Sequence, residues 1–291
     1  MPSTLTPLRY PGGKSKYSKL FIDIITMNEL DNCTFVEIFA GGAGAAIYLL
    51  LKGYVKSLIL NDLDVAIYAF WKSIKESPED FISKIKSTRI SMAEWHRQKY
   101  VFDQKNTNDL LALGFATFYL NRCNHSGILN ARPIGGMKQQ GDYRIGSRYT
   151  KTTSIAKIKD IAKYADAIEI FNMDGESLLK HLNQEYNQKK LFIYLDPPYR
   201  QKGPALYLNH FDQNKHLSLK KSIMNCQHPW MLSYDNHKEI IDLYSDSNCK
   251  LYLNSIRHTI TGNSIADELI ISKLDLPKEL KPLNLRQRSC A

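Results

Sequence analysis

Residues 34–39, Thr-Phe-Val-Glu-Ile-Phe, form a short apolar run that stops at Gly41-Gly42-Ala43-Gly44. A run this short, bounded by glycines, predicts a buried strand entering a turn. Ala45 to Lys52 then suits a helix, with Gly53 placed to cap its end. Ser57 to Leu60 predicts a second strand, ending at Asn61-Asp62. Strand, glycine turn, helix, strand is a βαβ unit, whose strands run parallel. That order confines the chain to the α/β class more tightly than its composition does.

A second set of strands is expected in the last third. Leu191 to Leu195 is apolar and ends at Asp196-Pro197-Pro198-Tyr199. Trp230 to Tyr234, Leu251 to Asn254 and Leu269 to Ser272 have the same character, with helical patterns around 215–225 and 238–244 separating the first three. The two ends of the chain therefore read as halves of one α/β sheet. The middle differs: 76–120 has helical spacing, and 121–151 is loop-like and rich in glycine. The expected organisation is a catalytic domain from 1–75 and 155–291, interrupted at 76–154 by a mostly helical inserted subdomain, with Leu285 to Ala291 as a basic, frayed tail.

The 39 Lys+Arg and 29 Asp+Glu leave a formal charge of +10, which invites a polyanionic partner without identifying one. The densest apolar stretch, Ala45 to Leu51, is far short of the ~20 residues a membrane helix needs. The five cysteines are scattered and never form CxxC, which argues against a zinc site and suggests a reducing cytosol. His125, His210 and His216 have no metal-ligand spacing, so no metal is expected; Trp71, Trp95 and Trp230 are expected in the core.

A glycine turn after the first strand of an α/β sheet lets a ligand approach the backbone at the positive end of the next helix. The spacing Gly41, Gly42, Gly44 is not GxGxxG, which removes support for a dinucleotide. Asp62 ends the second strand 18 residues after Gly44, where an acid can accept hydrogen bonds from ribose hydroxyls. Asp64 is available for the alternative task of capping the following helix. Gly13-Lys14-Ser15 imitates the end of a phosphate-binding loop, but the glycine that motif needs at position 8 is Leu8.

The tetrapeptide Asp196-Pro197-Pro198-Tyr199 is the most informative site motif. Two prolines fix φ and remove two backbone donors. The corner then offers acceptors, the Asp196 carboxylate and the Pro197 carbonyl, beside the Tyr199 ring. Such a corner suits a planar amine with two N–H donors, such as the exocyclic amine of a nucleobase. Accepting both hydrogens draws that nitrogen toward sp³ geometry and restores its nucleophilicity in the transition state.

Tyr10-Pro11-Gly12-Gly13-Lys14, Phe35 to Gly44, Asn61-Asp62 and Asp196 to Tyr199 occur in an order that resembles the Dam-like, S-adenosylmethionine-dependent DNA adenine-N6 methyltransferases. In that family the target-recognition segment lies between the cofactor motifs and the catalytic motif. The resemblance covers nearly the whole chain. It implies a Rossmann-like methyltransferase sheet and S-adenosylmethionine as cofactor. Tyr10 and Lys14 would line the cofactor's methionine end, Glu37 and Gly41, Gly42 and Gly44 would shape that pocket, and Asp62 would hold the ribose. Asp174 looks like the acid near the cofactor's adenine, although the family often has an aromatic residue next and this chain has Gly175. Asp196, with Pro197, would contact the target N6, and Tyr199 would stack on the base. Double-stranded DNA is the implied partner, with a cognate restriction nuclease as a candidate second one, and the expected setting is a prokaryotic or phage-infected cytoplasm.

An adenine inside a duplex must be flipped out to be methylated. Arg200 to Phe211 is expected to form a lid over it. Between Asn121 and Lys151 lie Arg122, Arg132, Lys138, Arg144, Arg148 and Lys151 against one acid, Asp142, with Tyr143 and Tyr149 interleaved. These cations are the expected DNA-binding residues. The amine chemistry alone also admits RNA adenine, cytosine N4 or a protein glutamine amide as substrate. A catalytically silent DNA-binding module has no need of the Asp196–Tyr199 corner.

Overall fold

The computed structural model describes residues 4–10, 14–186, 190–198, 213–258 and 264–283. Tyr199, the expected lid at 200–211 and the tail at 285–291 lie outside them. The chain divides into two compact units. One comprises 1–18 and 40–172, the other 19–39 and 173–291.

In the first unit the expected glycine-turn helix is α2 (Gly44–Leu51), which ends at Lys52 with Gly53 at φ +74°. It leads into β2 (Ser57–Asn61), which pairs in parallel with β3 (Ile168–Phe171), matching Asn61 with Phe171. Between these strands run α3 (Val65–Glu76), α4 (Pro78–Ser87), α5 (Met92–Gln104), α6 (Leu110–Cys123) and α7 (Lys151–Ala162). The segment expected as an insert thus holds three helices and the loop 124–150. The core of this unit is aromatic: the Phe70 ring lies 5.0 Å from Trp71, 5.8 Å from Phe81 and 6.3 Å from Phe118. Such pairs add to the burial of large apolar surface. Gly114 lets α6 approach α3, since a Cβ there would stand 2.5 Å from the Ala69 carbonyl oxygen.

The second unit holds α1 (Ser18–Met27, whose first residue belongs to the other unit), β1 (Thr34–Glu37), α8 (Gly175–Glu185), β4 (Leu191–Leu195), α9 (Gln213–Met224), β5 (Trp230–Asp235), α10 (Lys238–Ser245), β6 (Lys250–His258), β7 (Ser264–Ser272) and β8 (Lys281–Pro282). Its strands are ordered β1-β4-β5-β7-β6-β8. The β1–β4 and β4–β5 pairs are parallel, whereas β7 is antiparallel to both β5 and β6. β1, β4 and β5 are almost wholly buried, which is why they read as continuous apolar runs rather than alternating ones. Phe21 of α1 packs its ring 5.0 Å from Phe35 and 4.7 Å from Tyr194.

Both units are α/β, with parallel strands joined through helices, so the expected fold class holds. Among the described residues no helix is long and apolar enough to cross a membrane. Trp71, Trp95 and Trp230 are buried, as expected.

Candidate active site

Asp62 leaves the end of β2 with its carboxylate turned onto the glycine turn. Oδ2 accepts the Gly41 N–H at 2.9 Å, and Oδ1 accepts the Asp64 N–H at 2.9 Å. Capping of α3 falls to Asp64, whose Oδ1 accepts the Ala66 N–H at 3.0 Å and pairs with Lys105 Nζ at 2.9 Å. Asp62 is therefore not engaged as a helix cap. Burial, opposed by the two backbone N–H bonds, pushes its carboxyl up to about 6. Each oxygen keeps a lone pair beyond its backbone bond, so the group can take two further donors. That acceptor capacity and position fit a ribose diol.

The glycine turn is stitched from several directions. Trp71 Nε1 donates to the Gly41 carbonyl at 2.9 Å, and Thr6 Oγ1 donates to the Gly42 carbonyl at 2.6 Å. Gly41 sits at φ +45°, and a Cβ on Gly41 or Gly42 would stand 2.7 Å from side-chain atoms of Tyr10. A Cβ on Gly44 would overlap the Ser15 hydroxyl. The space these glycines leave is filled by Leu8, Tyr10 and Ser15 of the same unit. Their first use is thus the chain's own close approach, a role the sequence spacing did not distinguish from ligand approach. Lys14 is buried, with Nζ 5.4 Å from the Tyr17 ring centre.

In the second unit, β1 and β4 run parallel with Glu37 beside Tyr194, so buried Glu37 and half-buried Asp196 leave the carboxyl ends of neighbouring strands. In open α/β sheets that edge is where ligands bind. Asp196 Oδ1 accepts a hydrogen bond from Ser233 Oγ at 2.9 Å, and Ser233 Oγ lies 2.7 Å from the Tyr194 hydroxyl. Since Ser233 donates its one proton to Asp196, the Tyr194 hydroxyl donates to Ser233. Pro197 is buried behind the carboxylate.

Asp174 caps α8 by accepting the Glu176 N–H at 3.0 Å. Lys215 of α9 lies 2.9 Å from its Oδ2 and 3.2 Å from Glu176 Oε1. Partial desolvation would raise the Asp174 carboxyl, but the Lys215 ammonium and the backbone N–H bonds outweigh it and hold the group below the ordinary Asp value. A Cβ on Gly175 would stand 2.9 Å from Ile38 and 3.1 Å from the Phe39 ring, so a large residue after Asp174 has no room.

The cations of the 121–151 stretch separate into two kinds. Arg132, Lys138, Arg144 and Arg148 are exposed. Lys151 instead donates to the carbonyls of Lys86 and Thr88, at the end of α4, at 2.7 and 2.8 Å. Arg122 is half-buried, and burial above all lowers its pKa to about 10. Tyr149, interleaved with these cations in the sequence, is buried, its ring 5.4 Å from both Phe118 and Tyr119, so it belongs to the helical core. Tyr143 remains exposed. Ser233, Tyr194, Lys215 and Arg9 were missed in the sequence. Ser233 and Tyr194 occupy buried strand positions, where a hydroxyl carries no positional signal.

Parallel strands ending in carboxylates, found in both units, place the chain in the α/β class. Residues 10–259 match the model of the D12 class N6 adenine-specific DNA methyltransferases, and the chain belongs to that family. Methyl transfer in that family is S-adenosylmethionine-dependent chemistry. Three relatives are similar along much of the chain. Type II methyltransferase M.MjaIII of Methanocaldococcus jannaschii is 24% identical over 66% of this chain and 68% of its own. Type II methyltransferase M.CviBI of Paramecium bursaria Chlorella virus NC1A is 21% identical over 90% of this chain and 95% of its own. Modification methylase StsI of Streptococcus sanguinis is 28% identical over 67% of this chain and 28% of its own.

Proposed function

We propose that the chain methylates adenine N6 at a specific site in duplex DNA, acting on a base turned out of the stack. The observation that carries this is the Asp196 carboxylate, held by the Ser233 hydroxyl at the end of β4 with Pro197 fixing the chain behind it. A carboxylate and a donor-free carbonyl side by side accept the two hydrogens of a planar amine and favour its pyramidal, nucleophilic form. Asp196 then stands where the departing proton must be received or relayed. Tyr199, outside the described residues, is assigned to stack on the base.

Bound S-adenosylmethionine supplies an electrophilic methyl group, so no covalent enzyme intermediate is needed. Its ribose falls to Asp62, its methionine end to Tyr10, Lys14, Glu37 and the Gly41–Gly44 turn. Asp174 serves the adenine with the lone pairs that Glu176 and Lys215 leave. Segment 76–154 recognises the target through Arg132, Lys138, Arg144 and Arg148, with Arg122 behind them. The names of the relatives, type II methyltransferase and modification methylase, favour a modification role; a cognate nuclease is the partner proposed with it.

Labelled methyl transfer to duplex DNA, RNA and protein extracts tests the proposal directly. Transfer to adenine in the duplex alone is expected, and Asp196→Ala should abolish it in a protein that still melts cooperatively. Turnover in that variant equal to wild type would remove the catalytic assignment. Preferential labelling of cytosine or RNA would remove the substrate assignment.

A further inference from the structure

Arg9 belongs to the first unit, and its backbone is clamped by the buried Asn121 of α6. Asn121 Oδ1 accepts the Arg9 N–H at 2.8 Å, and Asn121 Nδ2 donates to the Arg9 carbonyl at 2.7 Å and to the Gly127 carbonyl at 2.9 Å. Gly127, at φ +77°, packs so tightly on the Arg9 carbonyl that no side chain fits there. The Arg9 side chain is thereby aimed at a cavity of about 510 Å³, whose other walls include His125, Ser126, Asp142, Tyr143 and Arg148. That volume is in the range of small-ligand sites. Asp142 is the one acid among the lining residues described.

Charge in this region is unbalanced. Arg9 Nη1 and Arg122 Nε are buried and have no hydrogen-bond partner among the described residues. Burying a charged donor without a partner is costly, and folded proteins avoid it unless a ligand supplies the partner. Arg9, Arg122 and Arg148 also repel one another: beyond desolvation, which leads in both cases, Arg148 lowers the pKa of Arg9, and both Arg9 and Arg148 lower that of Arg122. The Tyr143 ring, exposed at 64%, stands 6.0 Å from the Arg148 guanidinium.

We propose that this cavity holds a phosphodiester group of a nucleic-acid strand, gripped by Arg9 and Arg148, with the Tyr143 ring against the adjoining sugar or base. A planar guanidinium presents paired N–H groups that match two phosphate oxygens. The same loop carries exposed Arg132, Lys138 and Arg144, which extend the positive track a strand would follow. The inference deepens the DNA-methylation proposal and rests on it for the identity of the strand.

Duplex binding by the full chain, followed by fluorescence anisotropy across a range of salt, tests the site. Arg9→Gln and Arg148→Gln should each weaken binding to cognate and unrelated duplexes alike. Each should also flatten the slope of log K against log salt by ~0.9, the loss of one phosphate contact. Arg9→Lys should keep the slope. Arg148 is exposed, so its variant folds even if Arg9 variants do not. Unchanged affinity and slope in Arg148→Gln and in folded Arg9→Gln would overturn the inference. So would a loss confined to one sequence, which marks base readout. Inorganic phosphate alone should bind far more weakly than a duplex. Phosphate binding that is lost in Arg9→Gln with no effect on DNA would make the site one for a free ion and would also overturn it. Methyl transfer measured in parallel separates the two ideas. A slope effect without transfer to DNA removes the methylation proposal and keeps the site; transfer with unchanged slopes does the reverse.

Discussion

Asp196 and Ser233 show how a single hydrogen bond can set the orientation of a carboxylate at a sheet edge. With Tyr194 donating to Ser233 and Ser233 donating to Asp196, the carboxylate is held from the neighbouring strand. Ser233→Ala should leave the fold intact and lower kcat by roughly tenfold, as expected for ~1–2 kcal/mol of a lost hydrogen bond to a charged group. The KM for the cofactor should change little, and steady-state kinetics with both substrates reads that split. Asp62 makes a second prediction at this scale. Its folded pKa of about 6 lies above the ordinary Asp value, so the protonated form is favoured on folding. Stability linked to this group is present at acid pH and is lost as pH rises through 6. Hydroxyl donors need the ionised form, so cofactor affinity should move the other way and weaken by about tenfold per pH unit below 6. Asp62→Asn should bind weakly at every pH and lose that dependence, which calorimetry across pH 5–8 would reveal; an unaltered pH profile would remove the ribose assignment. Asp62 and Asp196 were legible in the sequence because each ends an apolar strand, where a carboxylate has few structural reasons to be. Ser233 was not, because its partnership with Asp196 is made by strand pairing across 37 residues.

At the scale of elements, short apolar runs bounded by turn residues placed β1, β2, β4 and β5 within a residue or two, since buried parallel strands must be apolar on both faces. β6 and β7 extend well beyond the residues read as strand, because 255–258 and 264–268 mix polar residues into a long antiparallel pair. β3 and α8 were not read at all. β3 is four residues long and only its first is buried, so its apolar pattern is faint. Gly114 illustrates the opposite case, where local propensity misleads. Within a helix, Gly→Ala should gain up to ~1 kcal/mol. The added Cβ would meet the Ala69 carbonyl at 2.5 Å and Ser73 Oγ at 2.7 Å, and backbone does not yield as a side-chain tip does. Overpacking of this kind costs ~1–3 kcal/mol. Gly114→Ala is therefore expected to lower Tm by a few degrees, and a rise on thermal denaturation would show that α6 and α3 can part without penalty.

For the whole molecule, the +10 charge is a poor guide to DNA binding until the cations are sorted by what they already do. Lys151 closes the end of α4, Lys215 serves Asp174 and Glu176, and Lys105 pairs with Asp64. None of these is free to release counterions on a duplex. Arg132 and Arg144 are exposed, and no ion pair is seen for either among the described residues. The double variant Arg132→Ala with Arg144→Ala should therefore flatten the salt slope by ~1.8 if both meet phosphates. If one reads guanine instead, the slope falls by half as much, and discrimination at one position of the site weakens by ~1–3 kcal/mol. Lys151→Ala supplies the contrast: its ammonium already satisfies two carbonyls, so its loss should lower Tm and leave the salt slope as in wild type. Filter binding against cognate and scrambled duplexes at several salt concentrations distinguishes these outcomes. A double variant with unchanged slope and unchanged discrimination would move DNA recognition out of the 121–151 loop, because no redistribution of phosphate contacts leaves both quantities fixed.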